Sequence, residues 1–167
     1  MEIKTDIALK GRAWKTAIED LSGIFANRTH YSIFMLCLAI GIMYDQRIEE
    51  VEAEEDEIKS VPRNVINNND NGKLDICFQA AILSTLTVEM SEDERLELAF
   101  GEKTDFNKMG FLLSFANFGA EKLVELIGNT ELDSMENIKN FMVKTVEGRN
   151  FDIDALPIDD IDFDMFD

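Results

Sequence analysis

The chain has 167 residues, of which 46% are hydrophobic and 30% charged. This length is sufficient for one domain with a hydrophobic core. The chain carries 34 Asp and Glu against 16 Lys and Arg, which gives a net charge of −18. Such a surface repels phosphate backbones and attracts basic surfaces, so direct nucleic-acid binding is disfavoured and a protein partner with a basic surface is favoured. For the body of the chain, solubility explains the acidity equally well.

The two cysteines and the longest apolar stretch bear on cellular location. Cys37 and Cys77 each lie in an apolar run, which is typical of reduced, buried thiols and favours a cytoplasmic location. The N-terminal segment lacks the apolar region of a signal peptide. Residues 31–44 form the most hydrophobic stretch, but a bilayer span needs about 20 residues. This stretch therefore predicts a buried core helix and no membrane association.

Helical spacing dominates the first third of the chain. Apolar residues three and four positions apart predict an amphipathic helix over about 12–25, namely Trp14, Ile18, Leu21 and Phe25. The helix expected over residues 31–42 is apolar on nearly every face and should lie at the centre of the fold. Residues 49–57 hold seven carboxylates in nine positions. They form either a helical extension or a charged loop, and repulsion between like charges argues against a stable helix.

The middle of the chain continues the helical pattern. Pro62 fits a helix start, and residues 67–72, NNNDNG, have the composition of a turn. A further helix is expected over about 73–88, carrying Ile76, Cys77, Ala80, Leu83 and Leu86. Ser91 and Glu94 form a capping-box pattern that predicts the start of the next helix.

The last part of the body predicts two longer helices. Residues 108–127 carry apolar and aromatic side chains at helical spacing. Asp133 or Ser134 is the expected cap of the following helix, whose inward residues are Met135, Ile138, Phe141, Met142 and Val146. No strand alternation is convincing. The predicted fold is all-α: a single compact domain of about six helices in residues 1–148, with an extended acidic tail in residues 149–167.

The sequence contains no recognisable motif of catalytic or metal-binding residues. A calcium loop with Gly72 at its sixth position would place Asn67 first and Phe78 twelfth, where Asp and Glu are needed. His30 is the single histidine, and no nucleotide-binding or hydrolase motif occurs. We therefore expect no catalytic, cofactor-binding or metal residue and no enzymatic activity. A two-metal site built from spaced carboxylates is the enzymatic alternative.

The acidic tail is the most informative segment. Residues 151–167, FDIDALPIDDIDFDMFD, hold seven aspartates and no basic residue, and apolar residues alternate with them. Such a segment does not readily fold alone, which predicts that a basic groove with apolar pockets binds it, as an added strand or an extended peptide. Docking on the chain's own domain is the alternative. The residues predicted to bind the partner are Phe151, Asp152, Asp154, Asp159, Asp160, Asp162, Phe163, Asp164, Met165 and Phe166.

The tail resembles the C-terminal tails of bacterial and phage single-stranded-DNA-binding proteins, which recruit repair and replication enzymes. The run from Asp159 to Phe163, DDIDF, carries this resemblance. The chain ends in Met-Phe-Asp instead of a terminal phenylalanine, so the resemblance concerns the mode of binding.

The body, over about residues 28–145, resembles a family of small accessory proteins associated with Dnd (DNA phosphorothioation) defence systems, the fourth such protein. The resemblance rests on an aromatic residue before an apolar helix that ends in glycine, from Tyr31 to Gly41, and on the proline-led segment VPRNVI at residues 61–66. Its most telling part is ANFGAEKL at residues 116–123. The resemblance implies a non-enzymatic role beside larger DNA-acting defence proteins, and no catalytic residue follows from it.

Two functions are compatible with these patterns. The first is an accessory or adaptor subunit of a bacterial anti-phage complex, which engages a basic, DNA-handling partner through its acidic tail and surface. The second is an acidic DNA mimic that inhibits a nuclease or a restriction or defence enzyme. A mimic should spread carboxylates over the body, whereas here the acids cluster at residues 49–57 and 152–167. This distribution favours the adaptor.

Overall fold

The computed structural model describes residues 3–25, 30–86, 89–101 and 105–147. Within these ranges, the chain forms two short strands and seven α-helices. They are β1 (Ile7–Lys10), α1 (Arg12–Asp20), α2 (His30–Tyr44), β2 (Ile58–Val61), α3 (Arg63–Asn69), α4 (Lys73–Ser84), α5 (Glu92–Phe100), α6 (Lys108–Val124) and α7 (Glu131–Glu147). The predicted all-α class is confirmed, and the two-stranded sheet is a feature that the sequence reading missed.

The centre of the fold is the pair α2 and α6, which make the most extensive helix–helix contact. As predicted, α2 is buried on most of its faces, and Phe34, Cys37, Leu38 and Ile40 are fully enclosed. Gly41 of α2 lies against the backbone of Phe115 of α6, because the missing side chain lets the two helices approach closely. No helix in the described part of the chain is both long and apolar enough to cross a bilayer.

Helix α1 packs onto this pair through the residues that the spacing predicted. Trp14, Ile18 and Leu21 are buried, and the Trp14 ring stacks on Phe34 with their centroids 6.3 Å apart. The helix is shorter than predicted, because it ends at Asp20 and the chain continues in turns through Phe25.

Strands β1 and β2 are antiparallel and far apart in sequence, with Ile7 opposite Val61 and Lys10 opposite Ile58. Their side chains alternate between the core and solvent: Ile7 and Leu9 are buried, whereas Ala8 and Lys10 are exposed. The sheet therefore covers one side of the helical core with its apolar face.

Helices α4 and α5 form an antiparallel hairpin. The predicted capping box of α5 is confirmed, since Ser91 Oγ accepts a hydrogen bond from the Glu94 amide. Arg95 Nη1 donates to the carbonyl oxygens of Ile82 and Thr85, at 2.8 and 2.6 Å, which joins α5 to the end of α4. Helix α4 ends at Ser84, four residues before its predicted end.

The turn before α4 is shorter than its composition indicated. Asn67 to Asn69 belong to α3, and the turn consists of Asp70, Asn71 and Gly72. The Asp70 carboxylate accepts hydrogen bonds from the amides of Gly72 and Leu74 and from the Tyr31 hydroxyl. These bonds give the carboxylate a structural role in the turn.

Helix α7 begins at Glu131, before the caps predicted at Asp133 or Ser134. Ile138, Phe141 and Met142 pack against the core as predicted. The inward placement of Met135 is wrong, since this side chain is 50% exposed. The side chain of Val146 lies outside the described residues.

Candidate interaction surface

All ten residues predicted to bind a partner lie in residues 151–167, outside the described ranges. Within these ranges, the segment at residues 49–57 resembles the tail in its density of carboxylates, with seven in nine residues. We call it the acidic ribbon. Its carboxylates, together with the sheet edge next to it, form the surface described below.

The acidic ribbon is not an α-helix, as the repulsion between its charges predicted. Its backbone has no regular structure until one 3₁₀ turn at Glu55–Glu57 leads into β2. Six of its seven carboxylates are exposed: Glu49, Glu50, Glu52, Glu54, Glu55 and Asp56. A ribbon of this kind presents a nearly continuous row of negative charge to solvent.

Ion pairs hold the two ends of the ribbon. Lys15 of α1 donates a hydrogen bond to Asp56, and this contact lowers the pKa of the Asp56 carboxyl below its usual value. At the other end, Arg47 pairs with Glu49 at 3.5 Å. The Arg47 guanidinium also lies over the rings of Phe111 and Phe115, 5.5 and 5.8 Å from their centroids.

Two hydrogen bonds connect Ile48, the residue before the ribbon, to α6. The Ile48 amide donates to the Ser114 carbonyl oxygen at 2.9 Å, and the Ile48 carbonyl oxygen accepts from Asn117 Nδ2 at 3.0 Å. Asn117 Oδ1 in turn accepts from Trp14 Nε1 at 2.9 Å. Asn117 therefore joins α1 and α6 to Ile48, the residue before the ribbon. In the sequence, the one indication of this role is that Asn117 is a polar residue within the apolar run FANF, residues 115–118.

A groove of about 670 Å³ lies between the ribbon and the sheet. One wall is the chain from Ile3 through β1, and the other wall is Glu49 to Val51. Met109, Gly110, Leu113 and Asn117 of α6 also line it. At one end the ribbon approaches β1, where Val51 packs against Gly11, a residue with φ 101° that has no side chain to obstruct the contact.

The pairing of β1 with β2 determines which backbone groups point toward this groove. The Gly11 amide donates to the Glu57 carbonyl oxygen at 3.2 Å, in register with the strand pairs. Residues that exchange hydrogen bonds alternate along an antiparallel pair, so Leu9 and Ile7 also direct their N–H and C=O groups to β2. Ala8 and Lys10 direct theirs to the opposite edge.

The outer edge of β2 differs from that of β1, because a backbone group on it already has a hydrogen-bond partner. Ser60, opposite Ala8, directs its carbonyl oxygen away from β1, and His30 Nδ1 lies 2.9 Å from this oxygen. This contact agrees with the alternation deduced from Gly11. In the part of the chain that the structure describes, Ala8 and Lys10 have no backbone partner on their outer side.

The hairpin of α4 and α5 presents a second surface feature. The predicted apolar positions Ile76 and Leu83 of α4 lie outward, 64% and 43% exposed, while Leu74, Phe78, Ala81 and Ile82 form the buried face. Leu96 and Phe100 of α5 are also exposed. These side chains form apolar faces on both helices of the hairpin.

The two thiols are both free, Cys37 buried and Cys77 partly buried. Burial raises the pKa of both the Cys37 and the Cys77 thiol, so neither is poised as a nucleophile. Among the residues described, no group of three or more His, Cys, Asp and Glu side chains is arranged to hold a metal ion. His30 contacts the sheet edge at the start of α2.

Comparison of the chain with models of protein families, with characterised proteins and with solved structures finds no match.

Proposed function

We propose that this protein is a non-enzymatic adaptor, which engages the basic surface of a DNA-handling protein through its acidic tail and acidic ribbon. The distribution of carboxylates carries the proposal. The ribbon exposes six acidic side chains along non-helical backbone, and the tail adds seven aspartates alternating with apolar residues. Charge arranged in this way steers a basic partner toward the protein and selects against nucleic acid.

The setting of this adaptor in a bacterial anti-phage defence complex rests on the resemblance of residues 28–145 to the Dnd-associated accessory family. A cytoplasmic location belongs to the same proposal, since both cysteines are free in the structure and such complexes act on intracellular DNA.

Affinity capture with three forms of the chain tests this function. They are the full-length protein, a form that ends at Asn150, and a full-length form with all seven tail aspartates changed to asparagine. We expect the full-length protein to retain a DNA-binding protein much more strongly than the other two forms do. The affinity of the purified pair should fall as salt rises. Equal retention by all three forms would exclude the tail as the recruiting element.

The exposed ribbon favours one alternative, a DNA mimic that occupies the DNA channel of a nuclease. Competition separates the two functions. Duplex DNA added to the purified complex displaces a mimic, and the mimic inhibits cleavage by its partner. An adaptor stays bound when DNA is added and leaves the partner's DNA binding intact.

A further inference from the structure

We propose that the open edge of β1 binds an extended segment of the partner, rich in alternating apolar and basic residues, as a third strand of the sheet. This inference deepens the proposed function and rests on it, because it names a second contact between the adaptor and its basic partner. The tail is not required for this contact.

Backbone geometry is the first argument. The N–H and C=O groups of Ala8 and Lys10 point away from β2, and in the described ranges they have no backbone partner. An unpaired strand edge is a template for another strand, which gains main-chain hydrogen bonds along its length. The opposite edge of the sheet is less available, because His30 contacts the Ser60 carbonyl oxygen there.

The shape of the groove is the second argument. The edge of β1 faces a groove of about 670 Å³ that is open to solvent on one side. Strands in a sheet lie about 4.8 Å apart, so a third strand beside β1 would enter this space. Met109 and Leu113 of α6 line the groove and supply apolar contact for alternate side chains of the added strand.

The third argument is charge, which determines the kind of segment that binds beside β1. The groove lining holds three carboxylates, Asp6, Glu49 and Glu50, against two lysines, Lys4 and Lys10. The ribbon continues beyond the groove with exposed carboxylates at Glu52 and Glu54, which makes this side acidic as a whole. An acidic segment, including the chain's own tail, would lie along this row of like charges. A basic segment would be attracted to it, and the long side chains of Lys and Arg reach past the strand edge to the carboxylates.

A fluorescent peptide of about nine alternating valines and lysines serves as the probe, since a strand of this length spans the groove wall. The control peptide alternates valine and glutamate. Fluorescence anisotropy is measured with the full-length protein and with the form that ends at Asn150. We expect binding of the valine–lysine peptide to both forms and no measurable binding of the valine–glutamate peptide.

The decisive variant is Ala8→Pro, with Ala8→Val as its matched control. Proline removes the outward N–H of residue 8 but none of the hydrogen bonds to β2, so it is tolerated at an edge. The loss of this hydrogen bond and the crowding by the ring should weaken peptide binding by about tenfold or more. Ala8→Val keeps the N–H and should bind like the wild type.

Two further measurements keep the test decisive if Ala8→Pro does not fold. Glu50→Lys should weaken binding, whereas Glu92→Lys, a reversal of the same charge on α5, should have a much smaller effect. Hydrogen exchange should show the amides of Ala8 and Lys10 becoming protected when the peptide binds.

Three outcomes overturn the inference. The first is equal binding by the Ala8→Pro and Ala8→Val proteins, which assigns the affinity to net charge alone. The second is equal loss from Glu50→Lys and Glu92→Lys. The third is protection of the Ala8 and Lys10 amides in the free full-length protein but not in the form that ends at Asn150, which makes the tail the occupant. The first two outcomes would not affect capture of the partner by the tail. A negative result for the β1 edge is therefore distinct from a negative result for the proposed function.

Discussion

Gly119 of α6 lies directly against the backbone carbonyl of Cys37 of α2, where a Cβ atom would collide with the carbonyl oxygen. Gly41 of α2 makes the reciprocal contact with Phe115, four residues earlier on α6. From Cys37 to Gly41 the chain runs forward along α2, whereas their partners run backward along α6, from Gly119 to Phe115. The two helices are therefore antiparallel and in close contact over about one turn. The two glycines therefore set the separation of the central pair.

Substitution of either glycine by alanine should destabilise the fold. Alanine is the better helix former by about 1 kcal/mol, but the added methyl group meets backbone atoms that have no alternative rotamer. We expect Gly119→Ala and Gly41→Ala each to lower the free energy of unfolding by about 3 kcal/mol, measured by urea denaturation. Gly72→Ala is the control, since no atom lies within 4 Å of the added group and only the cost of its positive φ remains, about 1 kcal/mol. Equal effects at all three positions would contradict this account.

These glycines show which part of the fold the sequence could predict. Gly41 and Gly119 both stand in segments that the sequence reading singled out, and the helices around them follow from the spacing of apolar residues. The sheet did not follow, because four residues at Ile7–Lys10 are too few to establish a period of two, and their partner lies about 50 residues away. The groove depends on that pairing, so only the structure discloses the open edge at Ala8.

The amide of Asn117 should be worth more to stability than its size indicates. Asn117→Ala removes the partner of the buried Trp14 indole N–H and of the part-buried Ile48 carbonyl oxygen. We expect a loss of about 3 kcal/mol in the free energy of unfolding. Trp14 is the single tryptophan, so its fluorescence reports on the same site.

A double-mutant cycle with Trp14→Phe separates the hydrogen bond from the packing at this site. Phenylalanine keeps an aromatic ring but removes the N–H donor. The two substitutions should be less than additive, with a coupling energy of about 1 kcal/mol. Strict additivity would show that the indole hydrogen bond contributes nothing measurable.

Stability should fall at alkaline pH because burial raises the pKa of the Cys37 thiol above its ordinary value of 9.0. Below pH 9 the thiol is protonated in both states and contributes no pH dependence. Above pH 9 the unfolded chain loses this proton while the folded chain keeps it, so the free energy of unfolding decreases as pH rises, by up to about 1.4 kcal/mol per unit.

The variant Cys37→Ala should remove this thiol's share of the alkaline slope, in urea denaturation followed between pH 8.5 and 10. Cys77→Ala is the matched control, because Cys77 is only partly buried and its removal should change the slope less. An unchanged slope in Cys37→Ala would assign the alkaline sensitivity to other groups. Tyr31 is one such group above pH 10, since burial, together with its hydrogen bond to Asp70, raises the pKa of its hydroxyl.

Removal of the tail should leave the body folded and relieve charge repulsion. The described core is built from residues between Ile3 and Met142, and the seven tail aspartates account for seven of the eighteen net negative charges, which leaves −11 on residues 1–150. We therefore expect a chain that ends at Asn150 to match or slightly exceed the full-length protein in thermal stability at low salt. The difference should vanish at about 0.5 M salt, where the screening length falls below about 5 Å. A large loss of stability on truncation would instead make the tail part of the folded domain, and the boundary predicted at residue 148 would be wrong.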